Sequence, residues 1–168
     1  MAFRFCPQCG HPLTLRPVGD EGEQPFCADC RRFFFDNAVP CVLVAIVNER
    51  DEVLLLRQAY ITDAPTLCSG YVKNGDTLED AVRREVLEET GQQVERCRYV
   101  GSWYYAPKGL IMAGFLARVT ACPFASSAEV DSLFWEDMTR AQHIIARENN
   151  LSGTLLDACV SLLAEDHS

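Results

Sequence analysis

At 168 residues, with 48% apolar and 23% charged residues, the chain has the composition of one globular domain with room for a small appendage. No stretch reaches the ~18 apolar residues of a membrane-spanning helix, and MAFRFCPQCG has no apolar run after its charge, which argues against a secretory leader and makes the cytoplasm the default location. A net charge of −9, with Lys73 and Lys108 the only lysines, argues against a sequence-independent grip on nucleic-acid phosphates but leaves a nucleotide substrate open.

The chain opens on Cys6-Pro7-Gln8-Cys9-Gly10, and Cys27-Ala28-Asp29-Cys30 follows with seventeen residues between the pairs. That spacing suits a structural zinc ion held by Cys6, Cys9, Cys27 and Cys30, since two thiolates spaced this way bite one tetrahedral ion. Disulfides are the alternative, disfavoured by an odd total of nine cysteines and no leader. His11 reads as an exposed turn residue, because four thiolates already fill the ion. Arg16–Gln24 is polar and glycine-bearing and reads as the turn between two arms of a ribbon. A small ribbon leaving through Phe33-Phe34-Phe35 must bury them, with the domain that follows or a second subunit as the cover. The appendage is assigned to residues 1–37 and the main domain to 38–168. The other cysteines, Cys41, Cys68, Cys97, Cys122 and Cys159, read as small core residues.

Val39–Val47 is a continuous apolar strand, and a polar turn at Glu49–Asp51 leads into a second strand, Val53–Arg57. Thr66–Val72 reads as a short strand that delivers Gly70. Thr77 is a good N-cap, Leu78, Ala81, Val82 and Val86 form a buried stripe, and Gly91 suits a left-handed C-cap, so a helix spans Leu78–Thr90. Strands are expected at Val94–Tyr105, Leu110–Thr120 and Leu133–Glu136, then helices at Thr139–Glu148 and Thr154–Ala164. Strands interspersed with helices indicate a sheet covered by helices, an α/β fold.

The helix crowds Glu85, Glu88 and Glu89 onto neighbouring turns, where like charges repel unless a cation offsets them. A solvated acidic face is the ordinary alternative, but it leaves the glycine-rich loop unexplained. Hard divalent cations such as Mg²⁺ take carboxylate oxygens, water and substrate phosphate.

The stretch Gly70–Gly91 resembles the Nudix hydrolases, whose pattern G-x5-E-x7-R-E-U-x-E-E-x-G-U is met at Gly70, Arg84, Glu85, Val86, Glu88, Glu89 and Gly91. Asp76 stands where the pattern has its first glutamate, and Gln92 where it ends on an aliphatic. The resemblance implies an α/β/α sandwich with a mixed sheet. It also implies Mg²⁺ or Mn²⁺ held by Glu85, Glu88 and Glu89, Arg84 orienting them, and metal-assisted hydrolysis of a diphosphate bond.

A four-cysteine ribbon ahead of such a domain is similar to the NADH pyrophosphatase branch, which cleaves NAD(H) and can remove NAD caps from RNA. That branch implies Glu129 as a further catalytic or metal-binding residue, with an exposed loop acid as the alternative. It implies a homodimer in which Tyr71 and Phe35 sandwich the adenine, Phe35 reaching across from the partner subunit, with core packing as the alternative for both. The branch signature SQPWPFPQS corresponds to Ser102–Leu110, where the serine and the aromatic character survive. Tyr105 and Trp103 share one strand face there, so Tyr105 is a candidate for the base or nicotinamide end. NAD(H) is the first substrate expectation, with FAD or ADP-ribose next. A non-catalytic Nudix-like sensor and a ribbon-mediated interaction module are the other classes. The retained glutamates weigh against the sensor, and the module rests on Cys6–Cys30 alone.

Overall fold

The structure is a computed structural model, which describes residues 3–58, 62–125, 127–128, 130–145 and 151–166. The chain divides into two compact units, Met1–Ala38 and Val39–Ser168.

In the first unit β1 (Thr14–Pro17), β2 (Glu23–Cys27) and β3 (Arg32–Phe33) form an antiparallel sheet in that order. The turn between the arms is shorter than Arg16–Gln24, because both end residues are paired with each other and Val18 N–H closes the turn on the Gly22 carbonyl at 2.9 Å. Phe33 lies against Phe26 with ring centroids 4.7 Å apart, and Phe34 lies 6.0 Å from Phe3. Those two rings therefore find aromatic cover inside the unit itself.

The second unit is built on seven strands: β4 (Val39–Val47), β5 (Glu52–Gln58), β6 (Thr62–Thr66), β7 (Cys68–Tyr71), β8 (Arg96–Tyr105), β9 (Leu110–Arg118) and β10 (Ser132–Asp137). The main path runs β10-β5-β4-β9-β8, with β6 beside β5 and β7 beside β4. Among the described residues only β4 and β9 pair in parallel, so the sheet is mixed. The strand expected over Thr66–Val72 is β7, which pairs with β4, while β6 ahead of it pairs with β5 and was not expected.

β4 shows why its sequence is apolar without alternation. Val42, Val44 and Ile46 face one core with Ala81, Val82 and Val86 of α1 (Leu78–Thr90). Cys41, Leu43, Ala45 and Val47 face the other, with Ala141 and Ile145 of α2 (Met138–Ile145) and Leu155, Leu156 and Cys159 of α3 (Leu151–Asp166). A strand covered on both faces has no solvent side to mark. The result is the expected α/β/α sandwich. α3 starts three residues earlier than its apolar pattern suggested, and the expected continuation of α2 over 146–148 falls outside the described residues. No described helix is long and apolar enough to cross a membrane.

Candidate active site

Local chemistry fixes where α1 begins and ends. The Thr77 hydroxyl accepts from Asp80 N–H at 3.1 Å, and the Asp80 carboxylate accepts from Thr77 N–H at 3.0 Å, a closed capping box. At the other end Gly91 takes φ 75° and its N–H bonds the Leu87 carbonyl. With α1 set against β4 and β7, its acidic edge meets the strand carrying Gly70. A β-carbon on Gly70 would lie 2.0 Å from the Glu85 carboxyl carbon, so that position admits only glycine if Glu85 is to stay where it is.

Arg84 ties the loop to the helix. Its Nε and Nη2 donate to Asp76 Oδ2 at 3.1 and 3.0 Å, Nη2 also reaches the Tyr71 carbonyl at 2.8 Å, and Nη1 pairs with Glu85 and, at 3.5 Å, with Glu88. The Asp76 departure thus keeps its charge engaged on the arginine. Glu89 is buried, and its Oε1 accepts from Gln58 Nε2 at 3.2 Å. The Cys68 thiol beside it is pushed well above its ordinary value by burial and then by the Glu89 and Glu85 carboxylates. It stays protonated, which removes it as a nucleophile.

Glu85 and Glu89 line a cleft of about 500 Å³ with Gly70, Tyr71, Lys73 and Lys108, floored by Cys41, Leu110 and Met112. A second hollow of about 330 Å³ brings Glu88 together with Glu85, Glu89 and Ser127. The three carboxylates therefore face shared space, although among the described residues only the cysteines bring three or more ligand atoms within 4.8 Å of one another. Arg84 holds Glu85 and Glu88 together through one nitrogen, Nη1. The all-oxygen donor set of Glu85, Glu88 and Glu89 around the second hollow fits a hard divalent cation.

The aromatic candidates separate. Tyr71 is 56% exposed on the cleft wall and is not core packing. Trp103 instead lies over the α-carbon of Gly114, where a β-carbon would come within 2.5 Å of the indole and 3.0 Å of Leu155. Tyr105 pairs with the cleft residue Leu110 across β8 and β9 and is exposed. Phe35 belongs to the first unit and is 41% exposed. Glu129 lies outside the described residues. Gln58, Lys73, Lys108 and Ser127 had no signal of their own, since no motif spacing links them.

Gln92, the second departure, is buried; its Nε2 donates to the Cys122 carbonyl and its Oε1 accepts from Cys122 N–H, both at 3.0 Å. A side-chain amide here copies a peptide group. Cys122 is accordingly an exposed loop residue, unlike the small core cysteine read from its apolar neighbours. Cys97 is half-buried, while Cys41, Cys68 and Cys159 are buried as expected.

In the first unit the four thiols converge within 4.8 Å, with Cys6–Cys30 at 3.8 Å and Cys9–Cys27 at 3.5 Å. Sulfurs on one tetrahedral zinc, bonded at about 2.3 Å, stand roughly 3.8 Å apart. Burial opposes ionisation of Cys6, but the backbone amides of Cys9 and Gln8 outweigh it and bring the thiol to about 6. Cys30 is pushed up to about 12 by the Cys9 thiol, burial and the remaining thiols. One thiolate is thus easy and the last is costly, unless a dication replaces the protons. His11 pairs with Asp29 at 2.8 Å, outside this set.

Residues 38–156 match the NUDIX domain family. The chain belongs to that family. Among curated relatives it is 34% identical over 141 residues to the NAD-capped RNA hydrolase NudC of Vibrio atlanticus (strain LGP32), covering 82% of this chain and 51% of that protein. It is 38% identical over 117 residues to the protein of the same name from Salmonella heidelberg (strain SL476), covering 69% of this chain and 44% of that one. The chain thus spans about half the length of the curated relatives it matches. Among solved structures, a NUDIX hydrolase from Nitrosomonas europaea superposes with a TM-score of 0.72 at 21% identity, covering 98% of this chain and 93% of that one. The NUDIX domain of Shewanella oneidensis NrtR, complexed with ADP ribose, superposes with a TM-score of 0.65 at 14% identity, covering 82% and 94%. Both agree with the Nudix sandwich described above.

Proposed function

We propose that this Nudix chain is a divalent-metal-dependent diphosphatase that hydrolyses the diphosphate bond of a dinucleotide, NAD(H) first, including NAD at the end of RNA. The observation that carries the reading is the cleft in which Glu85 and Glu89 share space beside the Arg84–Asp76 clamp. The curated relatives named NAD-capped RNA hydrolases support the choice of NAD over other dinucleotides.

Glu85, Glu88 and Glu89 would hold Mg²⁺ or Mn²⁺, joined by Glu129 on the resemblance. A cation so held offsets charge on the diphosphate and acidifies water. Arg84 keeps Glu85 and Glu88 in place while Asp76 and the Tyr71 carbonyl fix the guanidinium. Gln58 orients Glu89 by donating to its Oε1 at 3.2 Å. Tyr71 and Tyr105 offer faces to the bases, and Phe35 joins them from a partner subunit if the chain is a homodimer. Zinc is the proposed occupant of Cys6, Cys9, Cys27 and Cys30, with a structural role, since four thiolates leave no open position. A cytoplasmic location accompanies this reading.

The test is kcat/KM for NADH, NAD⁺, FAD, ADP-ribose, diadenosine polyphosphates, dNTPs and NAD-capped RNA with Mg²⁺ or Mn²⁺. Dinucleotides, led by NAD(H), should be preferred. A preference for dNTPs, or no hydrolysis of any of them, would overturn the reading.

A further inference from the structure

The second unit concentrates an unusual resource in one place. The whole sequence holds 24 acidic residues and two lysines, and both lysines line the same cleft as Glu85 and Glu89. They arrive from different loops that hang on the first residues of β4. Cys41 pairs with Tyr71 of β7 on one side and with Met112 of β9 on the other. Beyond Tyr71 the chain turns at Lys73, whose carbonyl accepts from Asp76 N–H at 3.0 Å. Before β9 lies the short 3-10 turn Ala106–Lys108, stiffened by Pro107 and closed by Gly109 at φ 64°. The Gly109 carbonyl accepts from Val39 N–H at 3.0 Å, which fixes that turn to the head of β4.

Their charges are differently engaged. Lys73 stands 3.8 Å from the half-exposed Glu88 carboxylate, a weak contact that an incoming anion readily replaces. Lys108 has no ion-pair or hydrogen-bond partner among the described residues. Its charge nevertheless reaches the cleft floor, where the buried Cys41 thiol, raised by burial and by Glu85, is drawn down by Lys108. An ammonium group on a stiff turn, at the mouth of an acidic cleft in an acidic protein, is placed for an anionic ligand.

We propose that Lys108, with Lys73 across the cleft, binds the non-bridging oxygens of the substrate's diphosphate and selects for that charge before any metal is bound. The inference rests on the diphosphatase reading but predicts binding as well as turnover. Lysine acts here as a point charge on phosphate and lends no base specificity, which leaves base choice to the aromatic wall.

The experiment is calorimetric titration of the full chain as purified, in buffer with no Mg²⁺ or Mn²⁺ added, with ADP-ribose, and with adenosine as the uncharged control. The parent should bind ADP-ribose more tightly than adenosine. Lys108→Met should weaken ADP-ribose binding about tenfold, the scale of a lost charge-assisted contact, and leave adenosine unchanged. Lys108→Arg should restore most of the affinity, and added salt should weaken the parent more than Lys108→Met. With Mg²⁺, KM should rise in Lys108→Met while kcat changes little. Equal ADP-ribose affinity in parent and Lys108→Met overturns the proposal, as does a parent that prefers adenosine. So does a Lys108→Met variant that only tightens Mn²⁺, which would mean that the lysine merely offsets the glutamates. A parent that hydrolyses no nucleotide yet shows these binding differences refutes the diphosphatase reading and supports the lysine site.

Discussion

Arg84 grips Asp76 through two nitrogens on one oxygen, Nε and Nη2 to Oδ2 at 3.1 and 3.0 Å. The aspartate is one methylene shorter than the motif's glutamate, yet its charge ends on the arginine that steadies Glu85 and Glu88. Asp76→Asn should therefore leave the fold intact and slow hydrolysis by about tenfold, the scale of losing one charge-assisted contact. The metal concentration needed for half-maximal rate should rise with it. Unchanged turnover and metal dependence in Asp76→Asn would show that the clamp is incidental to the site.

Gly70 makes a sharper prediction about the same carboxylate. Gly70→Ala places a β-carbon 2.0 Å from the Glu85 carboxyl carbon, and Glu85 is the mobile partner, so it must swing aside. Because Glu85 is proposed as a metal ligand, turnover should fall by about 100-fold or more. Thermal stability should change little. A Gly70→Ala enzyme with parental kcat would remove Glu85 from the metal site.

The motif core was legible because helix spacing, capping residues and carboxylate placement all follow from short-range rules; Thr77, the Ala81–Val82–Val86 stripe and Gly91 appear where those rules put them. The strand β6 over Thr62–Thr66 was not, since whether a short polar segment joins a sheet depends on long-range pairing, here with β5. Nor was the partial burial of Trp103, which depends on Gly114 of the neighbouring strand leaving room for its ring. Gln58 reaches Glu89, and Lys108 the cleft, through tertiary structure alone, from the end of an apolar strand and from a three-residue turn.

Gln92 replaces an aliphatic position with a two-way hydrogen bond to the Cys122 backbone. Gln92→Leu restores the pattern and similar volume but strands the Cys122 N–H and carbonyl. The loss should be about 1–2 kcal/mol, read as a shift in the urea midpoint at constant slope. A stabilised Gln92→Leu would mean that the loop re-pairs at no cost.

The capping box carries a pH signature. The Thr77 hydroxyl and then the Thr77 amide hold the Asp80 carboxyl below the usual aspartate range. A depressed carboxylate stabilises the fold above its unfolded value of about 3.9 and loses that contribution as pH falls through the lower folded value. The Tm gap between parent and Asp80→Asn should be widest near neutrality and close on acidification below about pH 4. A gap that widens on acidification would contradict the assignment.

Glu89 gives the most direct test of the chemistry. It is only 6% exposed, its Oε1 takes the Gln58 amide at 3.2 Å, and the protonated Cys68 thiol lies beside it. A buried carboxylate is costly for folding unless a cation shares it. Glu89→Gln preserves the shape and removes the charge, so stability should be equal or higher while hydrolysis falls by at least ~100-fold. Mn²⁺ affinity, followed by the ion's relaxation of water protons, should weaken in the same variant. Loss of turnover together with loss of fold would point instead to a structural carboxylate, and undiminished Mg²⁺-dependent hydrolysis would take Glu89 out of the metal site altogether.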